Sequence, residues 1–153
     1  MGFEIRRYPA AGVHIPPNGD AVVLVRVGSR ERRRWLACDE VHQALVEAWK
    51  SATAWRTGKY VVMPDHIHFF AAHTGSNIEL EDWVAYWKGQ VTRACRSCAM
   101  GWQSRCWHHR LRSGESYDAK WHYVRNNPVK LKLVDKAEDW PYQGEIFPIS
   151  WEG

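Results

Sequence analysis

Residues 21–27, Ala-Val-Val-Leu-Val-Arg-Val, are apolar at alternate positions of both parities. A strand that is apolar on both faces belongs in the middle of a sheet. Gly28-Ser29 ends it, and the period then changes. Val41, Leu45, Trp49 and Ala52 recur at helical spacing behind Asp39, a good N-cap, which predicts a helix over about 40–55 that Thr57-Gly58 breaks. Two β-rich runs, 59–63 and 66–72, flank Pro64-Asp65 and predict a hairpin. Gly75-Ser76-Asn77 punctuates the chain, and Ser76 or Asn77 caps a helix over about 78–98. Its apolar face is Leu80, Trp83, Val84, Trp87, Val91, Ala94 and Cys95, so the tryptophan stripe reads as core. Gly101 closes that element. Residues 105–110 have room for a fourth strand. Ser113 then stands to cap a helix over about 114–126, which Pro128 should stop by pushing Asn127 away from helical angles. Residues 1–19 read as an irregular lead-in, and 129–153 as turns and short segments.

The element order is β-α-β-β-α-β with an extra helix. That is the order of a ferredoxin-like α+β sandwich, an antiparallel sheet with two helices on one face. The other face is left for a substrate or for the extra helix. At 153 residues, 45% apolar and 25% charged, the chain is expected to be one domain, with a core over about 20–142 and an irregular tail over 143–153. No run approaches the roughly 18 apolar residues of a membrane span, so a soluble, cytoplasmic protein without a membrane partner is expected.

Composition changes this picture in two places. Ten tryptophans are unusual; some must be core, but that many rings also suit a surface on which bases stack. A net charge of +4 is compatible with a polyanion partner, and its distribution says more. Arg30, Arg32, Arg33 and Arg34 form a basic knot after the first strand. Arg110, Arg112, Lys120, Arg125 and Lys130, with Lys132, add a second group. Each is a candidate phosphate contact, although most charge runs are only solvated loops. Cys38, Cys95, Cys98 and Cys106 read as free thiols. Cys95-x-x-Cys98 followed by Cys106 and His108 resembles a zinc arrangement, but Cys95 and Cys98 fall in a helical stretch and the later spacing fits no common finger.

The sharper chemistry lies at His66-Ile67-His68. Residues i and i+2 of a strand share a face, so the two imidazoles stand together with Ile67 turned away. They are either half-exposed strand histidines or a metal-ligand pair. Tyr123 and Asn127 are neighbours one helical turn apart. Alone, Tyr123 is a packing residue and Asn127 a helix-terminal residue. Over the histidines, the two imidazoles and the Asn127 oxygen could hold a divalent cation beside a tyrosine nucleophile. His122 lies about 100° around the helix from Tyr123 and reads as a surface residue or a phosphate contact. His73, His108 and His109 read as loop or strand residues. Tyr117 lacks an Asn partner.

Met63-Pro64-Asp65-His66-Ile67-His68, then Tyr123-Val124-x-x-Asn127-Pro128-Val129, then Glu138-Asp139-Trp140-Pro141 resembles the single-tyrosine HUH transposases, in particular the REP-associated tyrosine transposases. The similarity runs from about residue 21 to 142. His109-Arg110-Leu111-Arg112 also resembles the family's stretch at that point, whereas Gln143-Gly144 stands where the family often has a serine pair. The resemblance implies a ferredoxin-like fold and metal-dependent cleavage and rejoining of single-stranded or hairpin-forming DNA. His66, His68 and Asn127 would be ligands of Mg²⁺ or Mn²⁺, and Tyr123 the nucleophile. A free phenol has a pKa near 10, so the tyrosine needs activation by the metal or a base. The cation would draw charge from the phosphate, and attack would leave a 5′-phosphotyrosine with a free 3′-OH, the logic of a strand transferase. A monomer is expected in preference to the helix-exchanged dimer of insertion-sequence relatives. A non-catalytic nucleic-acid-binding module is the alternative, and it requires aromatics on an open sheet face. A small-molecule hydrolase using His-x-His lacks a carboxylate ligand beyond Asp65.

Overall fold

Alternation along the first strand divides the molecule into two cores. A computed structural model describes residues 21–151; the expected lead-in over 1–19 lies outside them. In β1 (Val22–Gly28) the side chains of Val23, Val25 and Val27 enter one core, and those of Val22 and Leu24 enter the other. The same division holds in β3 (His66–His73), where Ile67, Phe69 and Ala71 oppose Phe70. β2 (Trp55–Val62), β4 (Trp107–Arg110) and β5 (Gln143–Glu145) complete a five-stranded sheet of order β4-β1-β3-β2-β5, and every pairing is antiparallel. The first four strands have the order of a ferredoxin-like sandwich, as expected.

α1 (Asp39–Ser51) and α2 (Leu80–Ala94) cover one face. Trp49, Trp83 and Trp87 are buried between helices and sheet, with the Trp49 and Trp87 rings 5.5 Å apart edge to face. Burying side chains of this size stabilises by roughly 2–3 kcal/mol each. Two indoles are also anchors: Trp83 donates to the Ala52 carbonyl at 2.7 Å and Trp55 to that of Ile78 at 2.9 Å. On the opposite face α3 (Tyr117–Arg125) seats Trp121 and Val124 against Leu24, Val61, Met63 and Phe70. Trp140 closes this second core and donates to the Val62 carbonyl at 3.0 Å. The face left over by the sandwich is therefore taken by the extra helix.

Several boundaries differ from the periodicity, among them the end of α2 at Ala94 and the start of β2 at Trp55. α1 stops at Ser51, and Thr57-Gly58, expected as a breaker, lies inside β2 where the register shifts. A Cβ on Gly58 would meet the Tyr117 hydroxyl at 2.7 Å, so glycine lets α3 approach the strand. α2 begins at Leu80, two residues late, because Ser76 Oγ accepts from the Ile78 amide instead of capping the helix. α3 is capped by Ser116, which accepts from Ala119 N–H at 3.1 Å, and not by Ser113; Gly114 at φ +88° is left-handed and ends any earlier helix. Pro128 does not stop the helical path. α3 ends at Arg125, and α4 (Asn127–Lys130) restarts with Pro128 in its first turn, where a missing N–H is tolerated. The tail is not wholly irregular, since Gln143–Glu145 pairs with the β2 edge as β5. A Cβ at Gly144 would meet the Tyr60 hydroxyl at 2.8 Å, and that hydroxyl is held by His42 at 2.7 Å.

Candidate active site

The turn before β3 is clamped from several sides. Asp65 and Pro64 carbonyls accept from Ser29 N–H at 3.0 Å and Leu36 N–H at 3.1 Å, and His66 O accepts from Met63 N–H at 2.7 Å. His66 and His68 leave this turn on the same sheet face, with ring centroids 4.9 Å apart. His66 Nδ1 is 2.7 Å from Asp65 Oδ1. An ionised carboxylate only accepts, so Nδ1 carries the proton and Nε2 keeps its lone pair. Burial raises the Asp65 carboxyl, but the hydrogen bond from His66 and the charge of Arg32 outweigh it and hold it below the usual range.

Burial lowers the His66 imidazole more than Asp65 raises it. His68 is held well below the ordinary histidine value by burial, then by His66 and Arg26. Both rings are therefore neutral donors. His68 Nδ1 is also buried without a hydrogen-bond partner. A neutral imidazole pair, one ring oriented by a carboxylate and the other with an orphaned nitrogen, fits a divalent cation.

α3 and α4 bring the second half. His68, Tyr123 and Asn127 line one cavity of about 1020 Å³, together with Arg26, Arg30, Trp102, Arg105 and Trp107. Because Trp121 and Val124 point into the core, Tyr123 is left 41% exposed at the cavity. Lys130 Nζ sits 4.0 Å above its ring. The other tyrosine of α3 serves packing instead. Its hydroxyl, on Tyr117, accepts from Lys59 N–H at 3.0 Å, and its ring packs on Phe70 at 4.6 Å. His122 is exposed, as expected, whereas His108 and His109 are buried on β4.

The basic residues separate into distinct roles. Arg30, Arg32, Arg33 and Arg34 are all exposed, and Arg30 reaches the cavity. Glu31 and Arg32 both hold φ of 56°, a conformation that costs non-glycine residues on the order of 1 kcal/mol each. Ser29 Oγ donating to Arg33 O at 2.6 Å and Arg32 donating to Asp65 at 3.3 Å fix this loop beside the histidines. Arg112 is exposed and Arg110 half-buried. Arg125 donates to Gln143 Oε1 at 3.3 Å, and Gln143 donates to the Ala137 and Trp140 carbonyls, tying the helix end to the tail.

Lys120 departs from the sequence expectation. It is 4% exposed and its ammonium lies 2.8 Å from Glu115, which also meets His109 at 3.1 Å and the Arg112 amide at 2.6 Å. It is buried and anchors α3 through Glu115, where the sequence predicts an exposed cation. Arg26 is a site residue that periodicity alone does not single out. It stands across from His68 in the β1–β3 ladder, half-buried on the same face. Its signal was present: one charge in an otherwise apolar run has to face something polar. The cysteines also regroup. Cys95 ends α2 and Cys98 lies in the following turn, so the two are not on one helix; they meet Glu40, without Cys106 or His108.

Strand histidines and a helix-borne tyrosine on one face of a ferredoxin-like sheet match the arrangement expected of a single-tyrosine HUH transposase. Comparison with known proteins narrows the class. No family model matches the chain. A protein of Haemophilus influenzae whose name places it among REP-associated tyrosine transposases is 30% identical over 112 residues, 60% of this chain; the chain covers 64% of that relative's length. A solved structure of a REP-associated tyrosine transposase bound to a REP hairpin superposes with a TM-score of 0.68 at 27% identity, covering 99% of this chain and 92% of that one. A Deinococcus radiodurans structure named as a transposase is 17% identical with a TM-score of 0.46, over 79% and 97% of the two chains. The resemblance to REP-associated tyrosine transposases thus holds in sequence and in fold.

Proposed function

We propose that this protein is a metal-dependent, tyrosine-nucleophile endonuclease and strand transferase acting on hairpin-bearing single-stranded DNA. The observation that carries the reading is the meeting of His68, Tyr123 and Asn127 at one cavity, with His66 beside them. His66, His68 and Asn127 would hold Mg²⁺ or Mn²⁺. When bound, the cation polarises a non-bridging phosphate oxygen and orients the phosphodiester for in-line displacement. Arg26 and Arg30 neutralise the phosphate on approach, and Lys130 places positive charge over the ring of Tyr123. Trp102 and Trp107 offer rings at the same cavity for base stacking.

In the proposed step Tyr123 Oη forms a bond to phosphorus and the P–O3′ bond breaks. The phenol loses its proton to solvent, and the departing 3′ oxygen takes one up. The product is a 5′-phosphotyrosine and a free 3′-OH, and a second 3′-OH reverses the step without ATP. The reading is of a monomer. A non-catalytic module that binds through sheet aromatics would have Trp107 of β4 but not Phe70, which is buried beneath Tyr117, and it gives no role to Tyr123 and Asn127 beside His68.

The test is incubation with hairpin-bearing single-stranded oligonucleotides and Mn²⁺. A covalent adduct that shifts in a denaturing gel is expected, and Tyr123→Phe should remove it while leaving hairpin binding intact. An undiminished adduct in that variant would overturn the assignment.

A further inference from the structure

A second donor cluster lies on the helical side of the sheet, opposite the face that carries His68. Cys95 closes α2, and the amides of Cys98 and Ala99 both donate to its carbonyl, at 3.0 and 2.8 Å. This tight turn rests on the start of α1. One ligand atom from each of Glu40, Cys95 and Cys98 lies within 4.8 Å of the other two. Cys98 Sγ donates to Glu40 Oε1 at 3.6 Å, and Cys95 Sγ to the Glu40 carbonyl at 3.9 Å. Cys38, the residue before α1, is half-buried, and its thiol donates to the Trp35 carbonyl at 3.8 Å. Two thiols and a carboxylate converging on one point make a soft donor set, unlike the imidazole and amide donors beneath Tyr123.

We propose that Glu40, Cys95 and Cys98, with water as the fourth ligand, bind a zinc ion that ties the start of α1 to the end of α2. Tetrahedral zinc takes thiolate at about 2.3 Å and carboxylate at about 2.0–2.2 Å, so donors this close need only draw in slightly. Binding displaces the thiol protons to solvent. The link has a structural consequence. The segment leading into Cys38 carries Leu36, whose amide holds the Pro64 carbonyl in the turn before His66. The ion would therefore brace the strap around that turn from behind.

The test uses the full chain carrying His66→Ala and His68→Ala, so that the cavity histidines contribute no metal binding. Reduced protein is titrated with Co²⁺ and then Zn²⁺. One Co²⁺ per chain, a thiolate-to-cobalt charge-transfer band, its loss on adding one equivalent of Zn²⁺, and a higher Tm with zinc are expected. Cys98→Ser and, separately, Glu40→Ala should each weaken Co²⁺ binding by roughly 100-fold or more, with unchanged far-UV circular dichroism. Absence of the band, or a band that both variants retain at the same affinity, would overturn the proposal.

Discussion

His66 Nδ1 donates to Asp65 Oδ1 over 2.7 Å, so the carboxylate that precedes β3 also fixes which imidazole nitrogen is left for a ligand. Asp65→Asn should raise the Mn²⁺ concentration needed for half-maximal cleavage by about 10–100-fold, the usual cost of losing such a carboxylate–histidine partner. Far-UV circular dichroism should be unchanged. An unaltered Mn²⁺ requirement would refute the orienting role.

Arg26 pairs across the ladder with His68 and lines the same cavity as Tyr123. Removing a charge positioned against a reacting phosphate in a partly enclosed site costs roughly 100-fold in rate. Arg26→Ala should slow single-turnover adduct formation by about that factor while changing hairpin affinity far less. Equal losses in both measurements would make Arg26 a binding residue only.

The Lys120–Glu115 pair holds α3, and with it Tyr123, over the sheet. Lys120→Met leaves Glu115 with His109 and one amide, which should destabilise the fold by about 3 kcal/mol in urea denaturation. Adding Glu115→Gln should recover part of that loss. A single variant as stable as the parent would show that the pair is not what seats the helix.

Stability should depend on pH with a definite sign. His42, His66, His68 and His109 are all held below the ordinary value near 6.5, in each case first by burial. As pH falls through that value the unfolded chain takes up protons that the folded chain refuses, so stability falls. Asp65 and Glu115, held low by their partners, add a further loss when pH drops into the carboxylate range. In metal-free protein the urea midpoint should decline from pH 7 to 5.5 and again below 4.5. A flat profile between pH 7 and 5.5 would contradict neutral histidines in the native state.

Much of this protein is written in local pattern. The double-sided apolar run of β1, the period-2 placement of His66 and His68, and the helical spacing of the tryptophans each follow from backbone geometry that a few residues determine. Their order suffices for the sandwich, whereas Tyr123 and Asn127, four apart in sequence, stand on two successive helices that bring both to one cavity. What tertiary structure decided is which of these groups meet. Lys120 reads as one of a basic group and Arg26 as a lone charge in an apolar run, but only packing puts the first against Glu115 in a core and the second beside His68 at a cavity. Thr57-Gly58 reads as a breaker, yet the approach of Tyr117 makes it part of a strand. Cys95 and Cys98 find Glu40 from more than fifty residues away, a partnership no spacing encodes. Periodicity is a property of the local chain, whereas proximity across the sheet exists only once both cores have closed.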